Sequence, residues 1–320
     1  MAADFTWRDG ERTIRFGPGA LADAPALLGE GYTLLTTPRA RAAAPAVVEA
    51  AAEVHEVGPG LVADLAGDLR GRVRGERLVA LGGGRVIDVT KALAAAAGPP
   101  VHAAAVPTTL SAAEMTRGHR HAKGVDPATP RVRPAVVIND PALSASQPAP
   151  DLAASAANAL AHAVEGAVTT AASPVPVVVA HESVAVIGRA CETEGEPDRE
   201  ALALGALLGG YVIDQTGYGL HHVLAQTLVA VAGAGHGPAN AAMLPHTIPA
   251  LIRRNPETID ATAIARELAR RAGAERLRDI GVDESKLEDC VQAAAERPQL
   301  KLTPPPADAE EIRALYRAAW

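Results

Sequence analysis

The feature that most constrains this chain is a change in hydrophobic period near residue 148. Before it, short β-type runs at 13–16, 32–37, 54–57, 77–81, 103–106 and 135–138 alternate with Ala-rich helical stretches. After it the β signal stops and only the helical period continues, from DLAASAANALAHAVEGAVTT to EEIRALYRAAW. Alternation of strand and helix predicts βαβ units around a mainly parallel sheet, whereas an uninterrupted helical period predicts a separate helical domain. The expected organisation is an α/β domain over residues 1–148 and an all-helical domain over 149–320, with the Pro-rich stretch SASQPAP at 144–150 as the hinge. The polar, proline-bearing segment 117–134 reads as a long excursion over a cleft.

Composition removes several classes of function. With 320 residues and 48% in the apolar class, the chain is long enough to bury two cores. Aromatic residues make up 2%, so few rings could stack on bases, and a net charge of −7 provides no surplus to neutralise phosphates; no nucleic-acid partner is expected. The first residues, MAADFTWRDGERTIRF, carry charge where a leader would need an apolar run, and no long uncharged apolar stretch follows, so a cytoplasmic protein without membrane attachment is expected. Cys191 and Cys290 stand far apart with no CxxC pairing, which excludes a thiolate zinc site and suits a reducing compartment.

Three groups of residues carry chemistry. The run LVALGGGRVIDVTKALA is a strand, then Gly82, Gly83 and Gly84, then a helix bearing Arg85, Asp88 and Lys91. Glycines let a backbone approach a diphosphate, and the free N–H groups of a helix N-terminus attract it. The same pattern also serves as a plain strand-to-helix turn. Gly83 is expected so near the diphosphate that a Cβ would clash with it. The following run AAAVPTTLSAAEMT places Thr108 and Thr109 just past a strand, with Glu114 beyond and the basic tract RGHRHAK after that. The second strand ends in Thr37, Pro38 and Arg39, with Arg41 close behind; no acid is present to take a ribose 2′-hydroxyl, so NADPH as well as NADH should be accepted unless these arginines only face solvent.

The third group is a set of histidines. NALAHAVEG places Asn158 and His162 four residues apart, on one helix face about 6 Å apart along the axis. GYGLHHVLAQTLVAVAGAGHGPANAAMLPH adds His221, His222, Gln226, His236 and His246. One histidine in an apolar helix is commonly a satisfied core residue, but so many imidazoles in two short segments point to a site.

Together the GGG loop with Asp88 and Lys91, the Pro107-Thr108-Thr109 segment and these histidines resemble the iron-type alcohol dehydrogenase superfamily, and within it the maleylacetate reductases. The resemblance runs from FGPGAL at 16–21 to LPHTIPA at 244–250. It implies a dehydroquinate synthase-like architecture with the active site in the interdomain cleft, and places the dinucleotide on Gly82, Gly83, Gly84, Arg85, Asp88, Lys91, Thr108 and Thr109, with Thr37 and Arg39 at its far end. It also implies that His162, His222 and His236 stand at metal-ligand positions, that Asn158 replaces an Asp ligand, and that Gln226 replaces a His beside the nicotinamide. Arg85 stands where the family usually has Ser.

Without the only carboxylate, three neutral imidazoles and an amide oxygen offer little to a divalent iron or zinc ion, so no metal is expected; if one bound, Asn158, His162, His222 and His236 would hold it. Carbonyl polarisation would then fall to a protonated histidine or to Arg and Lys, and any proton relay to His221, His222 or the RGHRHAK loop, since Gln226 carries no proton. The implied activity is nicotinamide-dependent reduction or dehydrogenation of a small carbonyl or alcohol, possessing an anionic group if the basic tract faces it, in a homodimer. A non-redox lyase or cyclase, and a non-catalytic nucleotide-binding paralogue, remain the alternatives.

Overall fold

The computed structural model describes residues 3–192 and 195–320, and the chain divides into two compact units, Met1–Gln147 and Pro148–Trp320. The first unit holds seven strands: β1 Phe5–Asp9, β2 Arg12–Phe16, β3 Tyr32–Thr36, β4 Ala51–Glu56, β5 Arg77–Gly82, β6 His102–Pro107 and β7 Val136–Asn139. They form one sheet in the order β1-β2-β7-β6-β5-β3-β4. Every pairing is parallel except β1 with β2. Alternate residues of the central strands feed two cores, Leu35, Leu78 and Ala80 on one face and Leu34, Val79 and Leu81 on the other. Burial on both faces is why these strands read as continuous apolar runs.

β1 is absent from the sequence reading. Its register, Phe5 against Phe16 through Asp9 against Arg12, closes a hairpin over Gly10 and Glu11, with Gly10 at φ 61°. Gly at the first position of a two-residue loop is a hairpin signal, but the charges flanking it hid the strand. β4 also starts three residues earlier than expected, and Val57 lies outside it.

Five helices complete this unit: α1 Ala24–Leu28, α2 Pro38–Ala43, α3 Pro45–Glu49, α4 Val62–Leu69 and α5 Gly84–Ala97. The connections after β3 and β5 run in opposite directions across the sheet, so the β5–α5 turn borders the switch in strand order where open α/β sheets bind ligands. The segment 117–134 has no regular structure, yet it is not a free excursion. Lys123 N donates to Ala63 O of α4 at 2.8 Å, and His119 and Ala122 are buried.

The second unit consists of α6 Ala149–Gly166, α7 Pro174–Cys191, α8 Arg199–Thr216, α9 Leu220–Ala232, α10 His236–Arg254, α11 Thr262–Arg271, α12 Leu287–Ala295 and α13 Ala309–Ala319, with short 3-10 turns between several of them. α6 is central, with 14 of its 18 residues buried, so Asn158, His162 and Glu165 are delivered to the interior. A Cβ at Gly209 of α8 would lie 2.7 Å from Ala159 O and 3.5 Å from His162 Cβ. Glycine there lets α8 close on α6 and fixes the depth of His162. Among the described residues only α7 is long and apolar enough to cross a bilayer, and its Ala180, Val184 and Ile187 pack inside this unit.

Candidate active site

The phosphate loop lies at the carboxyl end of β5. Gly83 is the N-cap of α5, and no side chain caps the first turn, so its backbone N–H groups are open to an anion. The loop that follows β6 is laced to it, because Thr108 N donates to Gly82 O at 3.0 Å. A Cβ on Gly83 would meet Thr109 Cγ2 at 3.0 Å, and one on Gly84 would meet Ser111 Cβ at 3.0 Å. The glycines therefore admit the Thr109–Ser111 turn against the helix end. Glycine at 83 is thus required by the Thr109 side chain quite apart from any diphosphate. Arg85 is exposed on the first turn of α5.

Lys91, placed by the resemblance among the dinucleotide contacts, is engaged inside the protein. Its side chain is fully buried, and Nζ donates to Ala113 O at 2.8 Å, Thr116 O at 2.9 Å and Gly118 O at 2.8 Å, with Asp88 Oδ1 also at 2.8 Å. An ammonium with three protons so engaged, beside its own carboxylate, has none left for a cofactor. Asp88 Oδ1 lies at ion-pair distance from Lys91 but has no hydrogen-bond partner of its own. The pair instead staples the loop after β6 onto α5, and Arg12 supports the same loop through Glu114 O at 2.9 Å. That loop includes Ala112 at φ 59°, a left-handed conformation costly for a residue with a Cβ. At the other end of the expected cofactor site, Thr37 Oγ1 caps α2 by accepting from Ala40 N at 3.3 Å, and Arg39 is exposed. Arg41 stands 3.9 Å from Glu56.

Within this staple Glu114 is buried, with Oε2 unpartnered, and burial pushes its carboxyl up to about 7 against the pull of Lys91 and Arg12. The folded chain then keeps this proton to about pH 7, whereas the unfolded chain releases it near the ordinary carboxylate value. The unfolded state binds fewer protons across that window, so stability should fall by up to about 3 kcal/mol as pH rises from about 4.5 to about 7. Glu114→Gln should flatten this part of the profile and leave the variant more stable than wild type at pH 8. Urea melts across the pH range would show it, and parallel profiles for the two proteins would refute it.

In the second unit the histidines expected at a site do come together. The rings of His162 and His222 stack at 4.9 Å with planes 16° apart, and His221 lies edge-on to His222 at 5.0 Å. Burial pushes His222 down to about 3 and His162 down as well, with His236 adding to both shifts, so both rings are neutral at physiological pH. His236 itself is exposed on the first turn of α10. His246 lies on the same helix but is shifted down by burial and by Arg266 of α11, apart from the cluster.

Asn158 Oδ1, His162 Nδ1 and His222 Nε2 are each buried without a hydrogen-bond partner. Buried polar atoms are normally satisfied, so three neighbours left open mark a place for a ligand.

Glu165, on α6 one turn beyond His162, sets up this arrangement. It accepts from His221 N at 2.5 Å and His222 N at 3.4 Å in the first turn of α9, and lies 2.7 Å from His222 Nδ1. A carboxylate accepting from Nδ1–H leaves the proton there and the lone pair on Nε2. His221 is different: Nδ1 is 2.7 Å from Thr247 Oγ1 and Nε2 is 3.0 Å from Asn240 Oδ1, whose amide nitrogen donates to His236 O at 2.7 Å. With both nitrogens engaged, no exposure and a pKa pushed down to about 3 by burial, His221 braces α9 against α10.

Gln226, one turn after His222, is gripped by Arg297. Arg297 Nη2 donates to Gln226 Oε1 at 3.0 Å and to Tyr218 Oη at 3.2 Å, and Nε donates to Gln299 Oε1 at 3.3 Å. The Tyr218 ring stands 5.8 Å from that of His222. Sequence reading missed Glu165, Tyr218 and Arg297. Glu165 was within reach, at helical spacing from His162, but no local signal ties Arg297 to a residue 71 positions away.

The C-terminal profile of the Fe-containing alcohol dehydrogenase family matches residues 152–272. A maleylacetate reductase of Pseudomonas aeruginosa is 31% identical over 306 residues, covering 86% of each chain. The chain belongs to the Fe-containing alcohol dehydrogenase family. Among solved structures, the maleylacetate reductase of Agrobacterium tumefaciens is similar with a TM-score of 0.84 and 26% identity, covering 100% of this chain and 99% of the other. That of Rhizobium sp. strain MTP-10005 gives 0.82 and 26%, again covering 100% and 99%. An N-terminal α/β sheet unit followed by a helical unit is the architecture of Fe-containing alcohol dehydrogenases.

The donor set of this member fits the family's metal poorly. Among the described residues, no group of three or more His, Cys, Asp or Glu side chains is placed to hold an ion. Nearly parallel rings direct their lone pairs in separate planes, so His162 and His222 do not converge on one point. The nearby carboxylate, Glu165, is spent on α9 and on His222 Nδ1. Nothing anionic then offsets the desolvation of a dication. A dinucleotide fits better, on the uncapped α5 N-terminus beside the Thr108–Thr109 turn.

Proposed function

We propose that this Fe-containing alcohol dehydrogenase family member is a nicotinamide-dependent reductase of a small carbonyl compound, similar in chemistry to the maleylacetate reductases, and that it works without a metal. One observation carries the reading: Asn158, His162 and His222 present unpartnered polar atoms at one buried place with no carboxylate among them. Bound NAD(P)H would supply the hydride. The open first turn of α5 would hold its diphosphate. Without a Lewis acid, the carbonyl oxygen must be met by hydrogen-bond donors. Tyr218 suits that task, because its oxygen accepts from Arg297 and its own proton is left to donate. Tyr218 would pass its proton to the oxygen as hydride reaches carbon and regain one from solvent, the reverse holding in the alcohol direction, while His222 Nε2, oriented by Glu165, would stay a hydrogen-bond acceptor beside it.

The test is loss of the reduced nicotinamide absorbance with maleylacetate, before and after dialysis against a chelator, with elemental analysis of the same sample. Equal turnover in both samples is expected. Loss of activity on chelation, restored by iron or zinc, would sink the metal-free reading, and no turnover of any carbonyl would favour a non-redox member. Arg39 and Arg41 give a further expectation: NADPH should bind more tightly than NADH at low salt, with the gap narrowing as salt is added. Equal affinities at low salt would leave both arginines as surface residues.

A further inference from the structure

Arg297 holds a charge with nothing to balance it. Its partners Gln226, Gln299 and Tyr218 are neutral, and it makes no ion pair among the described residues. A half-buried guanidinium ordinarily pairs with a carboxylate, because burial without a counter-charge is unfavourable. Here three neutral acceptors engage Nε and Nη2 and fix the guanidinium plane, while Nη1 has no hydrogen-bond partner. The two N–H groups left on Nη1 of a fixed, uncompensated guanidinium suit an anionic group, and a carboxylate oxygen is one that a small carbonyl substrate can carry. Tyr218 touches Arg297 at one end and lies beside His222 at the other. An anion on Arg297 would therefore share a neighbour, Tyr218, with His222.

We propose that Arg297 is the residue that selects a carboxylate-bearing substrate, and that Gln226 holds it in position. The assignment rests on the reductase reading for its chemistry but not for its binding. It also gives a reason for an amide at 226. A neutral acceptor orients Arg297 without cancelling its charge, whereas a carboxylate there would silence it and an imidazole would offer a less adaptable acceptor.

Two measurements separate the two readings. Calorimetric titration with maleate as the probe needs no turnover: wild type should bind it, and Arg297→Gln and Gln226→Glu should each weaken binding at least tenfold, with Arg297→Lys between them. Steady-state assays should show kcat/KM for maleylacetate falling about 100-fold in Arg297→Gln, mostly through KM, and at least tenfold more than for the neutral dimethyl ester, because loss of the Tyr218 contact touches both substrates and loss of the anion contact only the acid. The melting temperature should stay near the wild-type value, which excludes a folding defect. Gln226→Glu keeps the side-chain volume and serves as the second variant if Arg297→Gln folds poorly. Maleate binding that depends on Arg297 in a protein with no reductase activity would keep the anchor and overturn the reductase reading. Failure of wild type to bind maleate, or equal losses for acid and ester, would overturn the anchor.

Discussion

Asn158→Asp should turn this protein into one whose stability depends on added metal. Residue 158 is buried, its Oδ1 has no partner, and the neighbouring rings are neutral. A carboxylate there has no cation to pair with, and such a burial costs on the order of 3 kcal/mol near neutral pH. Zinc would supply the missing charge, and His162 could swing out of its stack to bind, because only His222 of the two is pinned, by Glu165. A ligand at about 100 times its dissociation constant restores about 2.7 kcal/mol. Thermal melts with and without zinc should thus show a destabilised variant that recovers, beside a wild type that shifts little. Near one equivalent of metal in wild type purified without chelator, lost on Asn158→Ala, would contradict the charge argument.

Lys91→Met should unfold the first unit more readily than any loss of a phosphate contact would suggest. Methionine fills much of the volume but leaves the carbonyls of Ala113, Thr116 and Gly118 without their donor and Asp88 without its cation. Breaking a buried charged network of this kind costs about 3–5 kcal/mol. Arginine should not rescue it, since a planar guanidinium cannot aim three protons at carbonyls arranged around a point. Urea denaturation should record the loss, and NADPH affinity should fall with it because the Thr108–Thr109 turn leads into the stapled loop. A loss below about 1 kcal/mol would show that the staple is dispensable.

Much of the fold was legible because it depends on local period. Strand-length apolar runs buried on both faces, and helices whose apolar residues recur at helical spacing, advertise themselves within a dozen residues. β1 escaped because its turn, Gly10-Glu11, sits among charges and none of its residues is fully buried. The glycine loop and the histidines were legible for the same reason, each being a short run with a distinctive composition.

The sequence by itself determined the order of strands and helices, the position of the glycine turn between β5 and α5, and the arrival of Asn158, His162 and His222 on helices. These follow from periodicity and from spacing along one element. Only the tertiary structure decided what each polar group does. Lys91 turned inward to loop carbonyls up to 27 residues away, His221 was locked by Thr247 and Asn240, and Glu165 was committed to the first turn of α9. Arg297 was brought to Gln226 across 71 residues. A side chain's protonation and spare hydrogen bonds depend on burial and on partners distant in sequence, and neither is encoded in the residues next to it.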